Sequence, residues 1–233
     1  MNKKYIGANQ PYLFPYFGFF QLINSVDIFL LCGELQYIRH GWINRNRWIF
    51  PNENWRYFSF SVGKGSVQDA IIDKVYVNFE EDKKRFMKQM LSYKKSCNFE
   101  EAYTLFEDIM KYDNANVSDF NEYSIQEICK YLSIDTKIIS SDKSMDILYK
   151  EKMINSERLE RIFYICKYYD CQCYRNAIGG QGLYSKEEFK CNNIKLEFVK
   201  PLLDQRDTLS IVDYIMKHSR KESIERLKSI EIV

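Results

Sequence analysis

Two clusters near the N-terminus combine the residue types that bind and activate small polar ligands. The first is Gln10, Tyr12 and Gly18, within Gln10-Pro11-Tyr12-Leu13-Phe14-Pro15-Tyr16-Phe17-Gly18. The second is Glu34, Gln36, Tyr37, Arg39 and His40, followed by Trp42, Asn44, Arg45, Asn46 and Arg47. Guanidinium forks match phosphate and carboxylate oxygens. Asparagine offers a donor and an acceptor together, as sugar hydroxyls or an amide require. Tyr37 and Trp42 add stacking surfaces, and ligand pockets combine a few polar groups with aromatic walls. The set suits a polar ligand that is planar or anionic. The plainer alternative is a polar edge strand stapled to nearby carboxylates. In an extended segment Arg45 and Arg47 share one face, and Asn44 and Asn46 share the other.

Proton transfer has two candidates. Glu34 follows an apolar segment that ends in Leu31. It could take a proton from an amine or hydroxyl nucleophile, or it could pair with Arg45. Histidine is the commonest general acid–base side chain, so His40 is the second candidate; its alternative role is an exposed turn residue between Arg39 and Gly41. A late glycine loop, Ile178-Gly179-Gly180-Gln181-Gly182-Leu183-Tyr184, follows a short strand. Gly179, Gly180 and Tyr184 would line the same cleft from its other side, unless the loop is a plain connection. Gly63-Lys64-Gly65-Ser66 lacks phosphate-loop spacing and reads as a hairpin exit. The 7 cysteines form no zinc pattern and no obvious disulfide framework, so no metal site is expected. Cys32 is a spectator or a thioester-forming nucleophile, with no histidine partner in view.

The elements that must position these groups begin with a strand at 4–8. Pro11 interrupts it, because its ring fixes φ and pushes the preceding residue toward extended geometry. A helix at 17–24 and an apolar strand at 27–31 follow, a βαβ-like opening. Gln10, Tyr12 and Gly18 then sit where the first strand hands over to the first helix, beside the carboxyl ends where open α/β sheets bind ligands. The glycine would permit close backbone approach; a tight aromatic-packed turn is the other reading. Strands are expected at 48–50 and 57–62, turning at Pro51-Asn52-Glu53-Asn54, with further strands at 74–77, 136–139, 173–176 and 194–198. Helices are expected at 82–93, 99–111, 121–131, 157–169, 210–217 and 222–227. The fold class is α/β, with a mostly parallel, Rossmann-like central sheet. The whole chain, 1–233, reads as one domain carrying a helical insertion near 80–132.

Composition sets outer limits. The chain has 233 residues, 45% of them hydrophobic, enough for a substantial core. Net charge is +2, from 34 basic and 32 acidic residues, so no global field recruits nucleic acid or a membrane. No run reaches the roughly 18 apolar residues of a membrane span. No signal peptide is evident, and a reduced, cytoplasmic setting is the default.

The chain resembles the WbqC-like family of bacterial surface-polysaccharide gene clusters. Gln10-Pro11-Tyr12, Pro15-Tyr16 and Gly18-Phe19-Phe20-Gln21-Leu22-Ile23 carry the likeness, followed by Val26-Asp27 and Phe29. It continues through Gln36-Tyr37-Ile38, Gly41-Trp42-Ile43-Asn44-Arg45-Asn46-Arg47, Lys64-Gly65-Ser66 and Tyr93-Lys94-Lys95. It ends with Asn176, Ile178-Gly179-Gly180, Leu183-Tyr184 and Leu209-Ser210-Ile211-Val212-Asp213. Two positions depart from the family pattern: Asn9 stands where members often carry histidine, and Gly33-Glu34 where many carry an Asp-Asp pair. The first loop also resembles the phosphate-binding loop of nucleotidyl-transfer folds, but that motif's two histidines are missing, which argues against histidine-assisted adenylyl transfer. The resemblance implies a cytoplasmic enzyme of lipopolysaccharide O-antigen or capsule assembly that modifies a nucleotide-linked amino sugar. The expected reaction is transfer of an acyl or aminoacyl group to the sugar amine. The donor would be a coenzyme A or carrier-protein thioester. The alternatives are an ATP-dependent amino-acid–sugar ligase and a non-catalytic sugar-nucleotide-binding scaffold. Oligomeric state is left open.

Overall fold

A computed structural model describes residues 3–49, 55–66, 68–204 and 208–233. Six strands form the central sheet: β1 (Tyr5–Asn9), β2 (Ile28–Leu31), β5 (Lys137–Ile139), β6 (Cys173–Ala177), β7 (Lys195–Pro201) and β8 (Ile230–Ile232). Their spatial order is β5-β2-β1-β6-β7-β8. Every neighbouring pair is parallel except β7 and β8. Along the chain this is third, second, first, fourth, fifth, sixth, the order of doubly wound nucleotide-binding sheets. β2 is apolar and buried at all four positions, as a strand covered on both faces must be.

Two apolar layers cover the sheet. One contains α1 (Phe17–Asn24), the insertion and α8 (Ile211–Lys217). The other is built by α5 (Ser141–Lys150), α6 (Arg158–Tyr168) and α7 (Lys186–Cys191). Helix α1 is buried at all positions but Asn24. It packs on β6 and β7, while Phe17 stacks on Tyr214 of α8 at 3.9 Å. A short helix, α9 (Arg220–Arg226), leads into β8.

Between β2 and β5 lie the hairpin β3 (Arg45–Ile49) and β4 (Trp55–Ser59), then α2 (Phe79–Met90), α3 (Phe99–Met110) and α4 (Val117–Tyr131). The hairpin forms earlier in the chain than the apolar pattern suggests, because Asn46 and Trp48 supply the buried face. Its expected turn at Pro51–Asn54 lies outside the described residues. The strand expected at 74–77 is reduced to isolated bridges, Val62 with Tyr76 and Val75 with Asn116. Helix α8 anchors the hairpin: Ser210 donates its N–H to the Arg47 carbonyl at 2.8 Å, and Asp213 accepts from the Ile49 N–H at 3.1 Å. Buried Asp213 also accepts from the Tyr93 hydroxyl and from Lys217. None of the helices is long and apolar enough to cross a membrane, among the described residues.

Candidate functional site

The chain leaves β1 toward β2 on one side, whereas β6 opens the other half of the sheet. The order therefore reverses between β1 and β6, and sheets of this kind bind ligands in the crevice outside the strand ends at that point. β1 ends there in Asn9, and β6 carries Asn176 one residue before its end. Asn9 Oδ1 accepts from the Gln10 N–H at 2.9 Å, and Asn176 Oδ1 accepts from the Ala177 N–H at 2.8 Å. Gln10 Nε2 donates to the Gln36 carbonyl at 3.3 Å, tying the loop after β1 to the loop after β2. Beyond β6 the chain makes a 3-10 turn over Ile178–Leu183. Gly179 faces open space, whereas the Asn176 amide lies 3.1 Å from where a Cβ on Gly180 would stand. Tyr184 is half-buried, edge-on to Phe189.

Gly18 serves packing. A Cβ there would lie 2.3 Å from the Tyr16 ring and 2.6 Å from Pro201. Tyr12 is half-buried against Phe19, and burial raises its phenol above the usual range. Phe14 holds φ at 44°, a left-handed conformation that strains a bulky side chain by about 1–3 kcal/mol. Its carbonyl accepts from Asn46 Nδ2 and from Ser210 Oγ, both at 2.8 Å, which hold the loop in place. Asn46 is only 6% exposed, and its oxygen takes the Arg47 N–H. Its amide is thus committed to shaping the loop after β1.

A cluster of buried polar and ionisable groups lies just past β2. The Gly33 N–H donates to Ser141 Oγ at 2.6 Å. Ser141 in turn donates through its hydroxyl and its N–H to Glu122, which also accepts from Ser118 at 2.8 Å. A Cβ on residue 33 would sit 2.2 Å from Ser118 Oγ and 2.5 Å from Ser141 Oγ, so only glycine fits. Glu34 projects from this clamp. It is half-buried, and its Oε2 is shielded from solvent without a hydrogen-bond partner. Desolvation raises its carboxyl above the usual range, opposed by its own N–H and by the charge of Arg161 on α6. Arg161 Nε is also shielded and unpartnered, and the two side chains form no ion pair. The Cys32 thiol is driven well up, first by burial and then by Glu34, with Arg161 pulling the other way and Glu122 adding to the rise. A thiol held protonated is a poor nucleophile.

The hairpin and the loop that leads into it hold the rest of the second cluster. Arg45 and Arg47 share its outer face, as strand alternation requires, while Asn46 and Trp48 point inward. Arg45 donates to the carbonyls of Gly41 and His40 and stacks over Tyr57 at 4.5 Å. It therefore does not pair with Glu34. Arg47 lies over Trp42 at 5.1 Å and over Trp55 at 5.3 Å. Asn44 accepts from the Tyr37 hydroxyl at 2.9 Å and donates to the Phe60 carbonyl at 2.8 Å. Gln36 is exposed, and Tyr37 donates its N–H to the Asp69 carbonyl. His40 is exposed with φ at 60°, at the tip of a turn. Arg161, Glu122, Ser141, Trp55 and Tyr57 join the site without having been singled out from the sequence. Arg161 left one trace: it shares a helix face with buried Ile165 four residues on, an odd place for a lone cation.

Sheet order, with the helices that lie between β2 and β5, defines a doubly wound α/β protein with polar and partly desolvated side chains in the loops after β1 and β2. The chain matches the WbqC-like protein family over residues 10–225 and belongs to it. It is similar to the uncharacterized protein Rv1507c of Mycobacterium tuberculosis, with 26% identity over 140 residues. That match covers 59% of this chain and 60% of the mycobacterial protein, so it extends over little more than half of either. No solved structure matches significantly.

Proposed function

We propose that the protein is a cytoplasmic transferase that forms an amide on the amine of a nucleotide-linked amino sugar, in O-antigen or capsule assembly, with the whole chain acting as one domain. The observation that carries this reading is Glu34: a desolvated carboxyl with an unpartnered oxygen, at the end of a central strand beside the switch point. A carboxylate with a raised pKa is a stronger base than an ordinary one, and proton transfer by a positioned base contributes roughly 10²–10⁴-fold. The sugar amine attacks the carbonyl carbon of an acyl or aminoacyl thioester. The C–N bond forms, the C–S bond breaks, and the amine proton passes through Glu34 to the departing thiolate. Gln10 and Asn44 orient polar groups, and Arg45 and Arg47 supply the cationic side. Positioning both reactants supplies much of the remaining rate. The protonated Cys32 favours direct transfer over a covalent cysteine intermediate.

The test incubates the protein with amino-sugar nucleotides and either acyl thioesters or amino acids plus ATP, and reads products by mass spectrometry. An amide formed from a thioester without ATP supports the transferase. Amide formation only with ATP hydrolysis replaces it with the ligase. Binding without any product replaces it with the scaffold.

A further inference from the structure

The outer face of the β3–β4 hairpin carries a feature that proton transfer at Glu34 does not use. Arg47 lies between two indoles, with Trp42 at 5.1 Å and Trp55 at 5.3 Å, and Arg45 lies over Tyr57 at 4.5 Å. Trp55 and Tyr57 meet edge to face at 5.5 Å. A buried stack of this kind would be ordinary packing, but here Trp42 is 40% exposed, Trp55 53% and Tyr57 45%. Three large rings this open, side by side, form an exposed aromatic patch.

Several basic side chains elsewhere pair with acids: Lys74 with Asp69, Arg85 with Asp82, Arg175 with Glu197 and Lys217 with Asp213. Among the described residues no carboxylate pairs with Arg45 or Arg47. Arg45 donates to two backbone carbonyls through Nε and one terminal nitrogen, and among the described residues no acceptor meets the Arg47 Nε. Two fixed positive forks among open ring faces complement a ligand that couples a planar ring to a small cluster of negative oxygens. The inner face gives the hairpin rigidity, through Asn46 on the Phe14 carbonyl and Asp213 on the Ile49 N–H. Little ordering therefore remains to oppose binding.

We propose that this face is a nucleoside-diphosphate platform: the diphosphate docks on Arg45 and Arg47, and the base stacks on Trp55, with Tyr57 edge-on beside it. The inference rests on the sugar-nucleotide reading above and assigns the nucleotide end of that substrate to the hairpin, leaving the sugar amine for Glu34. Two arginines match the charge of one diphosphate. A net charge of only +2 over the whole chain does not suit a long polyanion.

The test uses intrinsic tryptophan fluorescence and calorimetry with UDP, thymidine diphosphate, GDP and inorganic pyrophosphate. At least one nucleoside diphosphate should quench the fluorescence and bind more tightly than pyrophosphate. Trp55→Leu and Arg47→Ala should each weaken it by about tenfold or more, the scale of a lost base stack or charged contact. Trp55 is exposed and Arg47 half-buried, and melting temperatures of both variants will separate lost binding from lost folding. Glu34→Gln should bind as the wild type does. Affinity unchanged in both hairpin variants, or no nucleoside diphosphate binding, overturns the platform. So does tighter binding of a single-stranded oligonucleotide than of any diphosphate. Turnover that persists in the hairpin variants with unaltered KM sinks the platform alone. Nucleotide binding that needs the hairpin, without any amide product, sinks only the transferase.

Discussion

Glu34 and Arg161 carry opposite charge into one partly desolvated region without touching, and this sets the behaviour of the candidate base. Arg161 lowers the Glu34 pKa against the desolvation that raises it. Replacing Arg161 with glutamine removes a side-chain charge that opposes desolvation, so Glu34 should deprotonate at higher pH. A general base works when deprotonated, so the acidic limb of kcat/KM against pH should move to higher pH in Arg161→Gln. Arg161→Lys should return it toward the wild-type position. A purely structural arginine would lower the whole profile without moving the limb. Glu34 was readable from its place after an apolar strand. Arg161 was not, because only the return of the chain through α6 brings it to the end of β2. Asn46 shows the opposite limit. Its residue type fitted a ligand contact, but alternation along β3 turns it inward to carbonyls of the loop after β1.

Elements hold these side chains through a few tight contacts. The loop after β2 depends on the passage of Gly33 between Ser118 of α4 and Ser141 of α5. Gly33→Ala would push a methyl into both hydroxyls and break the clamp on Glu122, whose carboxyl burial already raises. Overpacking of this kind costs about 1–3 kcal/mol. At about 2–4 °C per kcal/mol for a chain of this size, the melting temperature should fall by several degrees. An unchanged melting temperature would show that the loop yields freely and that the clamp does not position Glu34. The opening elements β1, α1 and β2 were legible because Pro11 and the change from helical spacing to a continuous apolar run mark their limits. Helix α5 escaped because Ser141, Asp142, Lys143 and Ser144 hide its first turn. Strand β8 escaped because three residues show no period. The hairpin was displaced because Trp48 looks like the start of an apolar strand, although Arg45 and Arg47 already belong to it.

For the whole molecule, the parallel sheet could be expected from its βαβ opening, but its strand order could not. The order depends on which neighbour each strand chooses after the long excursion between β2 and β5, and no local pattern encodes that choice. The order matters most for function, because it puts the reversal between β1 and β6, next to Gln10, Gly179 and Gly180. The hairpin and the helices of the insertion share one apolar layer with α1 and α8. The hairpin and the loops around it are thereby fastened to the sheet by core packing as well as by hydrogen bonds. The chain as a whole is proposed to join a sugar amine to an acyl carbon with Glu34 as base. The most direct measurement is a single-turnover rate for amide formation by wild type and Glu34→Gln, with substrate affinity measured on the same preparations. The expected result is a rate lowered by roughly 10²–10⁴-fold in the variant with affinity retained. A Glu34→Gln protein that forms the amide at the wild-type rate would contradict it.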